Sequence, residues 1–166
     1  IKICSDLLKD YFDSFGFYRA LISYEIVEDK TIFNIKKDEQ IKISSIKIED
    51  EYKNIIDLKV NDGFKASNFT NSKKNIYKYL GEKGYAKGVL DAKAYVDLDE
   101  YKVDIEYQIT KNNLQYFGEV SIQNDAKIET AFLEKNIQIK KGQTYNSNLI
   151  DKTYENLYNF GIYKYI

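Results

Sequence analysis

The sequence predicts an α+β chain built from a small repeated module that runs strand, helix, helix, strand, strand. Three observations predict it. First, Ile46-Lys47-Ile48, Asn61-Asp62-Gly63-Phe64 and Tyr79-Leu80-Gly81-Glu82-Lys83-Gly84-Tyr85 recur in the same order downstream. The second series is Val120-Ser121-Ile122, then Lys141-Gly142-Gln143-Thr144-Tyr145, then Leu157-Tyr158-Asn159-Phe160-Gly161-Ile162-Tyr163. Second, Tyr101, Val103, Ile105, Tyr107 and Ile109 alternate strictly with polar residues, the mark of a strand with one dry and one wet face. Third, apolar helical faces stop at Gly16, Gly84 and Gly161, as helices do at glycine.

Residues 5–15 place Leu8, Tyr11, Phe12 and Phe15 on one helical face, with Ser5 as the expected N-cap. Residues 20–28 and 31–36 form a hairpin joined at Asp29-Lys30, without an Asn-Gly turn signal. Residues 41–49 form a strand whose parity slips between Ile43 and Ile46, which predicts a bulge. A short helix is expected over 50–59, through Tyr52, Ile55, Ile56 and Leu58, and a longer one over 68–83, through Phe69, Ile76, Tyr79 and Leu80. Residues 89–97 and 101–109 are the clearest hairpin. Residues 115–123 are a strand anchored by Phe117, Val120 and Ile122. Helices follow over 126–136, capped by Asp125 and facing inward with Ile128, Phe132 and Leu133, and over 146–160, capped by Asn146 with Leu149, Thr153, Leu157 and Phe160 inward. Ile162 to Ile166 starts a further strand.

Matching Ile46 to Val120, Gly63 to Gly142 and Gly84 to Gly161 gives a period of roughly 75 residues, longer than solenoid repeats. The expected division is 1–40, the C-terminal part of a first module (helix, strand, strand); 41–112, a complete module; and 113–166, the N-terminal part of a third (strand, helix, helix, start of strand). A module of this size is marginal alone, so the partial copies are expected to lean on the middle one or on another chain.

Composition excludes several functions. Acidic and basic residues nearly balance, for a net charge of −1, and only Arg19 is arginine, so no basic face for nucleic acid is expected. Histidine is absent and Cys4 is the single cysteine, which removes Ser/His and Cys/His chemistry, thiolate metal sites and an internal disulfide. Residues 1–15 carry Lys2, Asp6, Lys9 and Asp10 and show no apolar signal-peptide core, and a soluble fragment is expected. The heavy use of Tyr, Ile, Asn and Lys reads as compositional bias, not a tyrosine site.

At this point the chain resembles the POTRA domains of the Omp85 outer-membrane assembly proteins. The resemblance rests on Tyr116-Phe117-Gly118-Glu119-Val120-Ser121-Ile122, Lys141-Gly142, Tyr145-Asn146 and Leu157 to Tyr163 in this order. Gly16-Phe17-Tyr18-Arg19-Ala20-Leu21-Ile22 and Gly84-Tyr85-Ala86-Lys87 look like the corresponding segments of TamA-like members; BamA-like and two-partner-secretion transporters are the alternatives. Asn124-Asp125 departs from the Gly-Asn often seen in the family, and the middle copy lacks Phe-Gly in its first strand.

The resemblance implies tandem modules, each a three-stranded mixed sheet with two helices on one face. It implies a location at the periplasmic face of the outer membrane of a Gram-negative bacterium. The implied partners are unfolded outer-membrane or autotransporter precursors, an inner-membrane-anchored partner of the TamB type, and the protein's own C-terminal β-barrel, with no nucleic acid. Binding would be β-augmentation, the pairing of an extended segment with an open sheet edge, which needs no cofactor, metal or catalytic residue. Two edges are candidates. Residues 20–28 carry only Glu25 and Glu28 as charges and make the more receptive edge, through Leu21, Ser23, Glu25 and Val27. Residues 89–97 make the second, through Val89, Asp91, Lys93 and Tyr95, guarded by charges that block unwanted pairing. The competing class is an enzyme using Asp97, Asp99 and Glu100; against it, these residues read as a solvated hairpin turn.

Overall fold

The computed structural model describes residues 2–123 and 128–159. Ile1, Asp125, and the expected end of the last helix with its following strand (160–166) lie outside the described residues. The chain divides into two compact units, Ile1–Ile76 with Leu90–Gln108 and Tyr77–Val89 with Ile109–Ile166.

In the first unit, α1 (Lys2–Ser14) turns Leu8, Phe12 and Phe15 to half-buried positions, while Tyr11 stays exposed. Ser5 is not its cap, because the helix is already running at Lys2. Gly16, at φ +80, ends it as expected. Strands β1 (Leu21–Val27) and β2 (Lys30–Lys36) pair antiparallel, with Val27 opposite Lys30. The turn is therefore Glu28-Asp29, one residue before the expected place. Both residues take positive φ (49° and 62°), the twist a two-residue hairpin demands and Asn-Gly would supply more cheaply.

Strand β3 (Lys42–Lys47) pairs parallel with β5 (Lys102–Thr110), and the predicted bulge appears as a register shift between Ile43 and Ser45. With β4 (Val89–Asp97) the sheet order is β3-β5-β4, so β5 is central. Val103, Ile105 and Tyr107 of β5 are buried, and Lys102, Asp104 and Glu106 take the other face. Burial of each aliphatic side chain contributes roughly 1.5–3 kcal/mol. Tyr101 does not continue this alternation: it sits in the turn before the strand, at φ +54.

The helix expected over 50–59 is a single 3-10 turn, Asp50–Tyr52. The reason lies in α2 (Ala66–Glu82). The Asp57 amide donates to Ser72 Oγ (2.8 Å), and Asn75 Nδ2 donates to the Ile55 carbonyl (3.0 Å). Side chains of α2 thus satisfy the backbone groups a second helical turn would have used, while Tyr52 and Leu58 remain core residues.

In the second unit the strand expected over 115–123 is reduced to one antiparallel bridge, Tyr116 to Thr144. A strand exists through its ladder, and the backbone partners of this segment among the described residues are Gly84 and residues 142–145, too few and too scattered for one. Helix α3 (Thr130–Asn136) buries Leu133 as expected, whereas Phe132, also expected inward, is 41% exposed. Helix α4 (Ser147–Tyr158) starts as predicted, with Asn146 Oδ1 accepting from the Asn148 amide.

Candidate functional site

The two candidate edges are both edges in the structure. Among the described residues, β1 pairs with β2 alone, and β4 pairs with β5 alone. Each therefore presents one row of backbone N–H and C=O groups to which the sheet gives no partner. Along β1, Leu21, Ser23, Glu25 and Val27 share one face and all are exposed, Leu21 by 65%. Ile26 and Tyr24, on the opposite face, are exposed by 60% and 47%. Polar cover is thin: Asn34 Nδ2 on β2 donates a long bond to Glu25 Oε1 (3.4 Å).

Along β4, Val89, Asp91, Lys93 and Tyr95 are exposed, and the residues between them are turned inward. Lys93 Nζ pairs with Asp91 Oδ2 at 2.7 Å, two residues along the same strand. The same face continues with Ser45 bonded to Asp104 and Lys47 bonded to Glu106. The Lys47 hydrogen bond holds the Glu106 carboxyl below its ordinary range, and the Lys93 ammonium is raised by its bond to Asp91. A strand added at β4 must be laid beside fixed, hydrated charges, whereas one added at β1 meets apolar side chains.

The carboxylates of the enzyme alternative are turn-builders. Asp97 Oδ1 accepts the amides of Asp99 and Glu100 at 2.9 Å each, and Glu100 pairs with Lys102. Elsewhere, a cleft of about 230 Å³ brings Asp57 and Asp62 together, but both are exposed. Neither place offers the buried pair of carboxylates that acid–base chemistry uses.

Most of what the sequence concealed lies where one copy meets the next. At the first joint the Ile41 amide donates to the Gly16 carbonyl (2.8 Å), and residues 41 and 43 bracket 61–64: Phe64 N to Ile41 O, Ile43 N to Asp62 O, Asn61 N to Ile43 O. At the second, Gln115 N donates to Gly84 O (2.9 Å), and Tyr145 N to Gln115 O, Phe117 N to Gln143 O and Gly142 N to Phe117 O repeat the bracket. Gly63 therefore corresponds to Thr144, and Gly142 to Asn61; both Asn61 (φ +71) and Gly142 (φ +78) are left-handed. Matching Gly63 to Gly142 misplaces the repeat by two residues, because asparagine does in one copy what glycine does in the other. The linkers repeat too: Asp38 and Asn112 share a left-handed φ, and Lys37 and Lys111 lie over the rings of Phe17 and Tyr85 at 4.3 and 5.7 Å.

The family model for POTRA, the surface antigen variable number repeat, matches residues 39–112 and 115–166. The chain belongs to the POTRA family. Among solved structures it is similar to POTRA domains 3–5 of Haemophilus influenzae BamA, with a TM-score of 0.71 and 17% identity over 98% of this chain and 70% of that one. It is also similar to BamA of Haemophilus ducreyi lacking POTRA domains 1–3, with a TM-score of 0.60 and 14% identity over 76% of this chain and 24% of that one. At such identities the likeness establishes the POTRA fold. No curated protein matches the chain.

Proposed function

We propose that this chain is part of the periplasmic POTRA region of an Omp85 protein of a Gram-negative outer membrane, and that it binds extended segments by adding them to the free edge of β1. The observation that carries the reading is the contrast between the edges: β1 is open and flanked by Leu21, Tyr24, Ile26 and Val27, whereas β4 bears the Asp91–Lys93 pair. The work is binding and assembly, not catalysis. The occupants are unfolded outer-membrane or autotransporter precursors, delivered to a C-terminal β-barrel of the same protein. Among Omp85 proteins we favour the TamA-like plan, with an inner-membrane-anchored partner of the TamB type, on the Gly16-Phe17-Tyr18 and Gly84-Tyr85 segments. A BamA-like protein is the second reading, favoured by the two solved structures above at the level of fold.

Residues 1–40 then form the C-terminal part of a POTRA domain, 41–112 a complete one, and 113–166 the N-terminal part of another. The matching joints support this, since α1, Gly16 and Ala20 correspond in their backbone bonds to α2, Gly84 and Gly88. The test is hydrogen exchange of the whole chain with an added peptide of alternating apolar and polar residues. Exchange of the 21–27 amides is expected to slow by about tenfold or more at saturating peptide. Unchanged exchange at 21–27, with new protection at 89–97 or elsewhere, would overturn the assignment to β1.

A further inference from the structure

Tyr101 is the one aromatic residue among the described residues at positive φ. It closes the turn 98–101, at a position where glycine or asparagine is ordinarily favoured. A bulky side chain held there points to what it reaches. Its hydroxyl donates to the carbonyl of Glu39 in the first linker (2.8 Å). Its ring carries the Arg19 guanidinium at 4.0 Å from the centroid, and Arg19 Nη2 donates to the Leu98 carbonyl (2.9 Å). Three segments distant in sequence therefore converge: the stretch after α1, the linker after β2, and the β4–β5 turn.

Arg19 is the only arginine in a chain otherwise supplied with lysine. A guanidinium stacks its plane on a ring while an edge N–H donates to a carbonyl; an ammonium has no plane to stack. At the corresponding place in the second joint the residue is Lys87. We propose that Arg19 and Tyr101 form a clamp that locks the first joint in one geometry, so that the β1–β2 hairpin is carried as a rigid extension of the 41–112 module. The clamp is independent of which edge binds a partner, and of whether either does.

The experiment uses the whole chain with Cys4→Ser, spin labels at Lys30→Cys and Asn54→Cys, and electron–electron distance measurement. The parent is expected to give one narrow distribution. Arg19→Ala, Arg19→Lys and Tyr101→Gly are each expected to widen it about twofold, and to speed exchange of the Ile41 amide about tenfold. Tyr101→Gly relieves the turn's backbone, so its thermal midpoint is expected to hold or rise while the distribution widens; a residue serving stability alone would not separate the two. Parent-like widths in both Arg19→Ala and Tyr101→Gly would overturn the clamp. If Arg19→Ala fails to fold, the width in Tyr101→Gly decides.

Discussion

At the first joint Ile41 and Phe64 are buried and Gly16 faces backbone; at the second their places are taken by the half-buried Gln115 and Tyr145, and Gly84 faces side chains. The bonds are the same and the filling is not. A Cβ on Gly16 would stand 2.4 Å from the Phe64 carbonyl oxygen, whereas one on Gly84 would meet Thr144 Cγ2 at 2.8 Å and Leu114 Cδ2 at 2.9 Å. Around Gly16, Lys9 pairs with Asp13 and also donates to the Tyr18 carbonyl (3.0 Å), where the second joint has Tyr77, Gly81 and Ala86. A backbone pattern can thus be repeated faithfully while packing around it is set separately in each copy.

The sharpest test of this difference is the glycine pair. Gly16→Ala forces a strained φ and a clash with an immovable carbonyl, and is expected to cost about 3 kcal/mol in urea unfolding. Gly84→Ala meets side chains that can rotate away and should cost about 1.5 kcal/mol, the left-handed penalty alone. Equal costs would break the contrast.

The next concerns Gln40, whose Nε2 donates to the carbonyls of Phe15 (2.8 Å) and Phe64 (3.2 Å), and whose Oε1 would stand 2.0 Å from a Cβ on Gly63. Gln40→Ala and Gly63→Ala should each cost about 1.5 kcal/mol, and the double variant little more than either, since both lose the same bonds. Leu114, in Gln40's place at the second joint, is 42% exposed, and Leu114→Ala should cost about 1 kcal/mol or less.

A smaller effect checks the register of the repeat. A Cβ on Gly142 meets nothing within 4 Å, and its counterpart is Asn61. Gly142→Asn should therefore change stability by no more than about 0.5 kcal/mol, unlike Gly63→Ala. Comparable losses at the two would restore the glycine-to-glycine match.

The smallest effect is alkaline. Burial, then the Asp13 carboxylate, then Tyr101 raise the Tyr18 hydroxyl above its usual 10.0. A raised folded-state pKa gives stability that is complete below 10 and is lost as pH climbs through the folded value. Exchange at Ile41 should therefore accelerate above pH 10 more than exchange at Gln115, whose joint has Ala86 in place of Tyr18. Tyr18→Phe should abolish the difference.

What was legible in the sequence was whatever repeats at short range. The faces of α1 (apart from Tyr11) and α2, the alternation of β5 from Val103 on, the bulge after Ile43 and the helix ends at Gly16 and Gly84 were readable, because each is a local period or a conformational requirement. The two candidate edges came from the family resemblance, not from any local pattern. Left-handed positions filled by residues other than glycine were not: Glu28, Asp29, Asn61 and Tyr101 carry no local sign of their φ. Nor were long-range satisfactions, such as Ser72 and Asn75 holding the 55–57 loop open, or Arg19 reaching residues 98–101. The tyrosine-rich composition hid Tyr101 among many tyrosines with no such task.

Because the Gly16 carbonyl accepts the Ile41 amide and the Gly16 Cα is set against the Phe64 carbonyl, the end of α1 has no finished surroundings until the strand and loop that follow it, β3 and 61–64, exist. On the ribosome, that helix terminus must wait until residue 64 has emerged. Severing the chain in the linker would strip the upstream piece of its floor and leave Ile41 wet on the downstream one. For anyone grafting these modules into new arrays, Gly16 to Ala20, the linker through Ile41 and the loop 61–64 have to travel together; the transferable part is the junction.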